Sequence, residues 1–427
     1  MLSYGGAQFA LGTYMAFVSY YLMMFCTDVA LIPSAATAVL LLCYRLFSVI
    51  NGQVMGLFIN RSHFKKGKYR PYFKWCALPF ALGLAALGLT PGINAAGRIL
   101  YAALILFLCE LCWLALHTAL LSMLPYLSLD DVNRAKFVSF SNSSSIIAFI
   151  IVGTFMLPLA NFLGGGDRNK GFALTLALFA VIAAPLIFNA YFRLKERHYG
   201  DTPDKPRIRD MYLAIGRNRR ILLFLTGYSL YSMADGFKSL TTFYYMTYYM
   251  QRPDLLPVII LTGLISPLAM QPLIPRLLAY AKKETLIIFG IFAASGASFL
   301  MLTAGNRPFP LIVCVAFYGV FTAIVANLIF TMIASFADEI RIRQNIKMSE
   351  ILSTVLDLSS TLGVAVASSA APMALAASGY IAQAASQTAA ALTGIRALYI
   401  LCTGTGMALC GLVLLLSTKP GNNINRQ

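Results

Sequence analysis

Acidic residues are scarce in this chain. Its 427 residues hold 16 Asp and Glu against 33 Lys and Arg, and charged residues make up only 11% of the total. That is too little charge to cover a water-soluble body of this length. With a hydrophobic share of 59% and a mean hydropathy of +0.74, a soluble globular protein and a disordered one are both excluded. Histidine is nearly absent, at 3 residues, and no ladder of His and Cys has zinc-site spacing. Cys109 and Cys112 have C-x-x-C spacing, but they sit inside a helix-length apolar run with no second pair. Like Cys26, Cys43, Cys76, Cys314, Cys402 and Cys410, they read as small packing residues. The sequence offers no nucleophile–base pair, metal cluster or phosphate loop, so neither an enzyme nor a cofactor is expected. Met1-Leu2-Ser3-Tyr4 lacks the basic region and cleavage site of a signal peptide, so the first apolar segment is expected to be retained.

What is abundant is long apolar runs. Runs of about twenty residues can cross a bilayer. Here they fall near 5–31, 35–60, 72–93, 98–124, 138–164, 171–194, 221–250, 254–281, 284–305, 307–336, 349–382 and 387–417. Backbone polar groups have no water partner in lipid, so each run must be helical. The fold class is all-α integral membrane, with twelve transmembrane helices. The longest polar stretch, 195–220, divides them into an N-terminal half (1–194) and a C-terminal half (221–417), with a tail at 418–427.

The basic residues occupy every second gap. Arg61, Lys65, Lys66, Lys68 and Arg70 fill one, a run from Arg193 to Arg220 fills another, and Arg341, Arg343 and Lys347 a third, whereas the gaps between hold single residues such as Arg98 and Arg252. The positive-inside rule puts the basic gaps and both termini in the cytoplasm of a plasma (inner) membrane protein. The net charge of +17 then answers anionic lipid, not nucleic acid.

Two six-helix halves on a cytoplasmic linker is the layout of the major facilitator superfamily, whose solute sits near mid-membrane between halves. Four stretches are more specific: Leu2-Ser3-Tyr4-Gly5 with Thr27-Asp28-Val29; Arg45-Leu46-Phe47-Ser48-Val49-Ile50-Asn51-Gly52-Gln53-Val54-Met55-Gly56; Gly67-Lys68-Tyr69-Arg70-Pro71; and Gly164-Gly165-Gly166-Asp167-Arg168. Together they resemble the glycoside–pentoside–hexuronide:cation symporter family, of which melibiose permease is a member. The resemblance is strongest over residues 1–170. It implies the major facilitator fold and a secondary transporter of a small hydroxylated solute, a sugar or glycoside. It implies too that the loop with Lys68 and Arg70 helps latch a cytoplasmic gate, for which Asp130, Asp131, Arg134 and Asp338 are candidate partners.

The departures matter as much. The family motif Arg-x-x-Asp-x-x-x-Asp-Pro-x-x-Gly carries two aspartates one turn apart as cation ligands. Here those positions are Ser48 and Gly52. Gly12, His117 and Thr361 stand where members carry an acid, an acid and a lysine. Na⁺ coupling is therefore not expected; H⁺ coupling or none is.

The remaining polar groups in apolar spans are the site candidates, because charges there are expensive. Arg45 has Glu110 as its first candidate partner. Glu110, Trp113 and His117 recur at helical spacing and can line one stripe suited to a polyol, with hydrogen bonds to hydroxyls and a ring to stack on. Asp235 and Lys238, three apart, can line the cavity or form an ion pair. Asp357 is read as an interhelical acceptor or a relocated protonation site. Ser48, Asn51, Gln53, Asn142 and Thr361 complete the set. Tyr244, Tyr245, Tyr248 and Tyr249 read as an interfacial belt. The expectation is a monomer in lipid that moves a sugar-like solute by alternating access. Two alternatives keep the fold: a carrier of an amphipathic lipid-like or drug-like solute, suggested by the aromatic and Met-rich first span, and a transport-inactive sensor or partner.

Overall fold

Apolar runs without charge wind into helices because only a helix satisfies its own backbone in lipid. The computed structural model describes residues 2–61, 69–127, 131–194, 216, 218–344, 349–384 and 386–418, and among them there is no strand. The helices follow the order of the expected spans. In the first half they are α1 (Leu2–Tyr20, continued after a 60° bend by Leu22–Val29), α2 (Ser34–Arg61), α3 (Arg70–Leu87), α4 (Ala95–Leu127), α5 (Asp131–Gly164) and α6 (Arg168–Arg193). In the second they are α7 (Arg219–Tyr244), α8 (Leu256–Met270), α9 (Lys283–Ala304), α10 (Pro308–Gln344) and α11 (Ser349–Ala377). The last, α12, is Ala389–Arg396 continued through Ala397–Cys402 into Thr403–Thr418.

Among the described residues nine helices are long and apolar enough to cross a membrane, or ten if the bent α1 counts as one. That is short of the expected twelve. The two that fall below are α3, which carries Arg70 and Lys74, and α7, which carries Arg219, Arg220, Asp235 and Lys238. Their polar load is what lowers their hydropathy.

The chain divides into two compact units, Met1–Asp201 with Tyr380–Ser386, and Thr202–Gly379 with Gln387–Gln427. Each unit uses the same pairing scheme. In the first, α1 packs on α5 and α6, α4 on α2 and α3, and α3 on α6; in the second, α7 packs on α11 and α12, α10 on α8 and α9, and α9 on α12. The repeat extends to backbone detail. The α1 segment ends in a π turn, Phe25–Val29, in which Ala30 N donates to Phe25 O at 2.7 Å and Ile32 N to Cys26 O at 2.9 Å. After α7 the turn recurs at Tyr245–Tyr249, with Met250 N to Tyr245 O and Arg252 N to Met246 O, both 2.9 Å. Leu31 and Gln251 both have φ of 54°, and Pro33 and Pro253 open the next segment.

The Gly164-Gly165-Gly166-Asp167 motif forms the α5–α6 turn. Gly165 and Gly166 take φ of 56° and 96°, a region open to glycine. Asp167 then caps α6, accepting from Asn169 N at 2.9 Å and Lys170 N at 3.2 Å. Lipid tails are as apolar as leucine, so helix contact depends on close packing. The tightest approaches are at glycines: a Cβ on Gly171 of α6 would run into the Ala160 carbonyl of α5, and one on Gly363 of α11 into the Ser229 carbonyl of α7. Large rings fill the rest. Tyr14, Phe17, Phe73 and Phe80 are fully buried in the first unit, as are Tyr244, Tyr245 and Tyr399 in the second.

The last three correct the interfacial-belt expectation. Tyr244 and Tyr245 are buried, and Tyr245 stacks on Tyr399 at 4.3 Å; the π turn rotates this end of α7 inward. The aromatic and Met-rich stripe of α1 is buried too, at Tyr14, Phe17, Tyr21, Met23 and Met24. Met15 and Tyr20 of the same stripe are half-buried.

Gly171→Val and Gly363→Val are expected to lower stability by about 1–3 kcal/mol or more each through overpacking. Gly296→Ala, where a Cβ meets nothing within 4 Å, should be neutral or stabilising. Thermal unfolding of the purified protein in detergent checks all three.

Candidate functional site

A carboxylate that leaves water must have its oxygens satisfied by protein donors. Glu110, in the middle of α4, is 2% exposed. Three hydroxyls reach it. Tyr44 of α2 donates to Oε2 at 2.6 Å, Tyr14 of α1 to Oε2 at 3.3 Å, and Ser48 of α2 to Oε1 at 2.5 Å. The two tyrosine hydroxyls also lie 3.1 Å apart. All the donors belong to the first unit, and none is a cation.

Ser48 occupies the position where the family motif has its first aspartate. The serine at that position donates to the carboxylate carried by α4. Arg45 is not the partner of Glu110. Its guanidinium lies 5.4 Å from the centre of the Tyr44 ring, and it makes no ion pair among the described residues. Charge-bearing arginine and carboxylate meet the same tyrosine from different sides, one at the ring and one at the hydroxyl. Asn51, one turn beyond Ser48, is buried, and its amide nitrogen has no hydrogen-bond partner.

On α4, Trp113 and His117 follow Glu110 by three and seven residues. Trp113 and His117 are half-buried and stack with ring centres 4.7 Å apart and planes within 10°. The Trp113 indole donates to the Leu11 carbonyl of α1 at 3.1 Å. Glu110 and Trp113 therefore both face α1, with the imidazole laid over the indole. Cys109 and Cys112 are buried and free, and no group of three or more His, Cys, Asp or Glu among the described residues could hold a metal. Asn142, on α5, is exposed and stays outside this cluster.

The second unit has its own polar group. Asp235 and Lys238 of α7 are not within ion-pair distance, which removes the ion-pair alternative, and Tyr318 of α10 touches both. Its hydroxyl donates to Asp235 Oδ1 at 3.2 Å, and its ring lies 3.5 Å from Lys238 Nζ. One turn earlier, Tyr228 and Tyr231 stack with centres 6.0 Å apart, and Tyr231 donates to the Thr322 carbonyl at 3.4 Å. Asp357 of α11 is exposed, and its carboxylate accepts no hydrogen bond among the described residues; Thr361 donates to its backbone carbonyl at 2.9 Å.

Of the gate candidates, Arg70 bonds within the first unit. It donates from Nε to the Tyr191 carbonyl at 2.6 Å and from Nη2 to the Phe192 carbonyl at 3.4 Å, holding the last carbonyls of α6. Lys68 and Asp130 lie outside the described residues, as do the side chains of Gln53, Asp131, Arg134 and Asp338. Sequence spacing missed Tyr14, Tyr44 and Tyr318. A tyrosine in an apolar span is common, and only the tertiary contact shows which hydroxyl meets a carboxylate.

Asp28, in the matched Thr27-Asp28-Val29, is fully buried in the first unit. It accepts from Thr27 at 2.6 Å and from Tyr380 at 2.7 Å, and its backbone carbonyl accepts from the Gln383 amide.

Comparison with known proteins agrees with this picture. The family described as MFS/sugar transport protein matches residues 3–418. The isoprimeverose transporter of Lactiplantibacillus pentosus is 26% identical over 97% of this chain and 87% of its own length. An uncharacterized symporter of Bacillus subtilis, YnaJ, is 25% identical over 92% and 86%. Among solved structures, the nucleoside transporter NupG superposes with a TM-score of 0.70 at 12% identity, covering 98% of both chains, a likeness of fold alone. An inward-facing bacterial homologue of the lysosomal transporter Spinster gives 0.62 at 11% identity, over 97% of this chain and 93% of the other. The family match over nearly the whole sequence, with the α2 and Gly-Lys-Tyr-Arg-Pro motifs, places the chain in the MFS/sugar transport family, among the glycoside–pentoside–hexuronide symporters: it is a multi-pass membrane transporter of major facilitator fold.

Proposed function

We propose that this protein moves a small hydroxylated solute of the sugar class by alternating access and couples that movement to protons at Glu110. It works as a monomer in the cell membrane, with both termini on the cytoplasmic side, as the alternating basic gaps imply. The buried carboxylate held by three neutral hydroxyls carries the reading. Its three partners are all hydroxyls, and a hydroxyl can donate to a carboxylate or accept from a carboxylic acid. Na⁺ needs several free oxygen ligands, and here the carboxylate lone pairs already accept from Tyr14, Tyr44 and Ser48. The stacked Trp113 and His117 offer a plate and a ring nitrogen to a sugar, and the unpartnered Asn51 amide offers a donor to a hydroxyl. The naming of a similar protein as an isoprimeverose transporter supports the solute class.

In proteoliposomes, a pH gradient is expected to drive accumulation of a cognate glycoside, and a Na⁺ gradient is not. Accumulation driven by Na⁺ alone would overturn the proton assignment. Equilibration without accumulation under either gradient marks an uncoupled carrier, and absence of flux for every glycoside would leave a transport-inactive protein.

Glu110→Gln keeps size and an acceptor oxygen but cannot carry the proton. It should abolish pH-driven accumulation while exchange of labelled for unlabelled solute persists. Tyr44→Phe removes the 2.6 Å donor and should lower stability by about 1–3 kcal/mol, because a buried charged group loses a bond; thermal unfolding reads it.

A further inference from the structure

Lys238 is a charged group of the second unit whose ammonium donates no hydrogen bond among the described residues. It lies on α7 three residues after Asp235, the spacing of a helical ion pair, and Tyr318 donates its own hydroxyl to that carboxylate at 3.2 Å. The ammonium sits 3.5 Å above the same ring. A cation over an aromatic face is attracted to it, but the contact accepts none of the three N–H donors. Among the described residues no carboxylate lies within ion-pair distance of Lys238, and no oxygen accepts from its ammonium. Other described acids of the unit are placed elsewhere: Asp254 is paired with Arg252 at 3.0 Å, and Asp357 is exposed on α11. An ammonium inside a membrane span is retained at a cost unless something binds it.

We propose that Lys238, set over Tyr318 with its three N–H donors unaccepted among the described residues, is the specificity-determining residue for an anionic solute, its ammonium binding an oxyanion carried on a hydroxylated ring. This rests on the sugar-transport reading above and narrows it from sugars in general to acidic ones. Tyr318 is a positioning residue: its hydroxyl donates to Asp235, and its ring lies against the ammonium.

The test uses the purified protein and matched methyl glycosides of glucose and galactose configuration. Each set has a neutral member, its C6 carboxylate and, where it exists, its C6 sulfonate, and binding is measured by calorimetry. In the wild type at least one acidic member should bind roughly tenfold or more tighter than its neutral partner. The carboxylate and sulfonate arms say which oxyanion fits. Lys238→Gln should bring that ratio to about one, and Lys238→Arg should keep most of it, with melting temperature reporting that each variant is folded. A wild type that binds neutral members as tightly as acidic ones overturns the proposal, as does a folded Lys238→Gln protein that keeps the preference. If Lys238→Gln does not fold, the wild-type ratio together with Lys238→Arg decides. Binding of neutral glycosides alone sinks only this inference; binding of no glycoside at all sinks the sugar reading with it.

Discussion

Enclosing a carboxylate among helices in lipid forces the protein to act as its solvent, and Glu110 shows how this chain does so. Three helices are drawn together because α1 supplies Tyr14, α2 supplies Tyr44 and Ser48, and α4 supplies the acid. Replacing Ser48 removes the hydroxyl that donates to Oε1, whereas Oε2 keeps one tyrosine when the other is replaced. Every donor in that shell is a neutral hydroxyl. Arg45 lies against the Tyr44 ring.

Much of this could be read in the sequence. Helix-length apolar runs locate the spans, the motif with Arg45 and Ser48 identifies the family, and the Glu110–Trp113–His117 spacing marks the face of α4 that matters. All of these are local patterns, and local patterns survive in one dimension. What was hidden is tertiary. That Glu110 would answer Ser48 and not Arg45 depends on the rotation of α4 against α2. That Tyr318 would touch both Asp235 and Lys238 depends on α10 approaching α7. The tyrosines near residue 245 look like a belt until the π turn carries Tyr244 and Tyr245 inward.

The internal repeat was also on the page without being legible. Thr27 and Pro33 recur as Thr247 and Pro253 at the same separation, too few matches to notice against a composition so rich in apolar residues. In three dimensions the two turns share their hydrogen bonds, the positive φ of Leu31 and Gln251, and the helix pairings around them. Side-chain chemistry has diverged where the backbone has not. The first unit gathers its charge at Glu110, the second at Asp235 and Lys238. Packing constrains shape at both ends of the repeat, and it leaves the polar residues free to specialise.

Asp28 has a consequence for how the molecule is made. Its carboxylate and its carbonyl are met by Tyr380 and Gln383, more than 350 positions further along the chain. On the ribosome, therefore, the opening helix is threaded and flanked by its neighbours while this acid still lacks those two partners. They emerge only when the final helix is about to follow. These contacts are therefore late events in biogenesis, possible only once Tyr380 and Gln383 have been made.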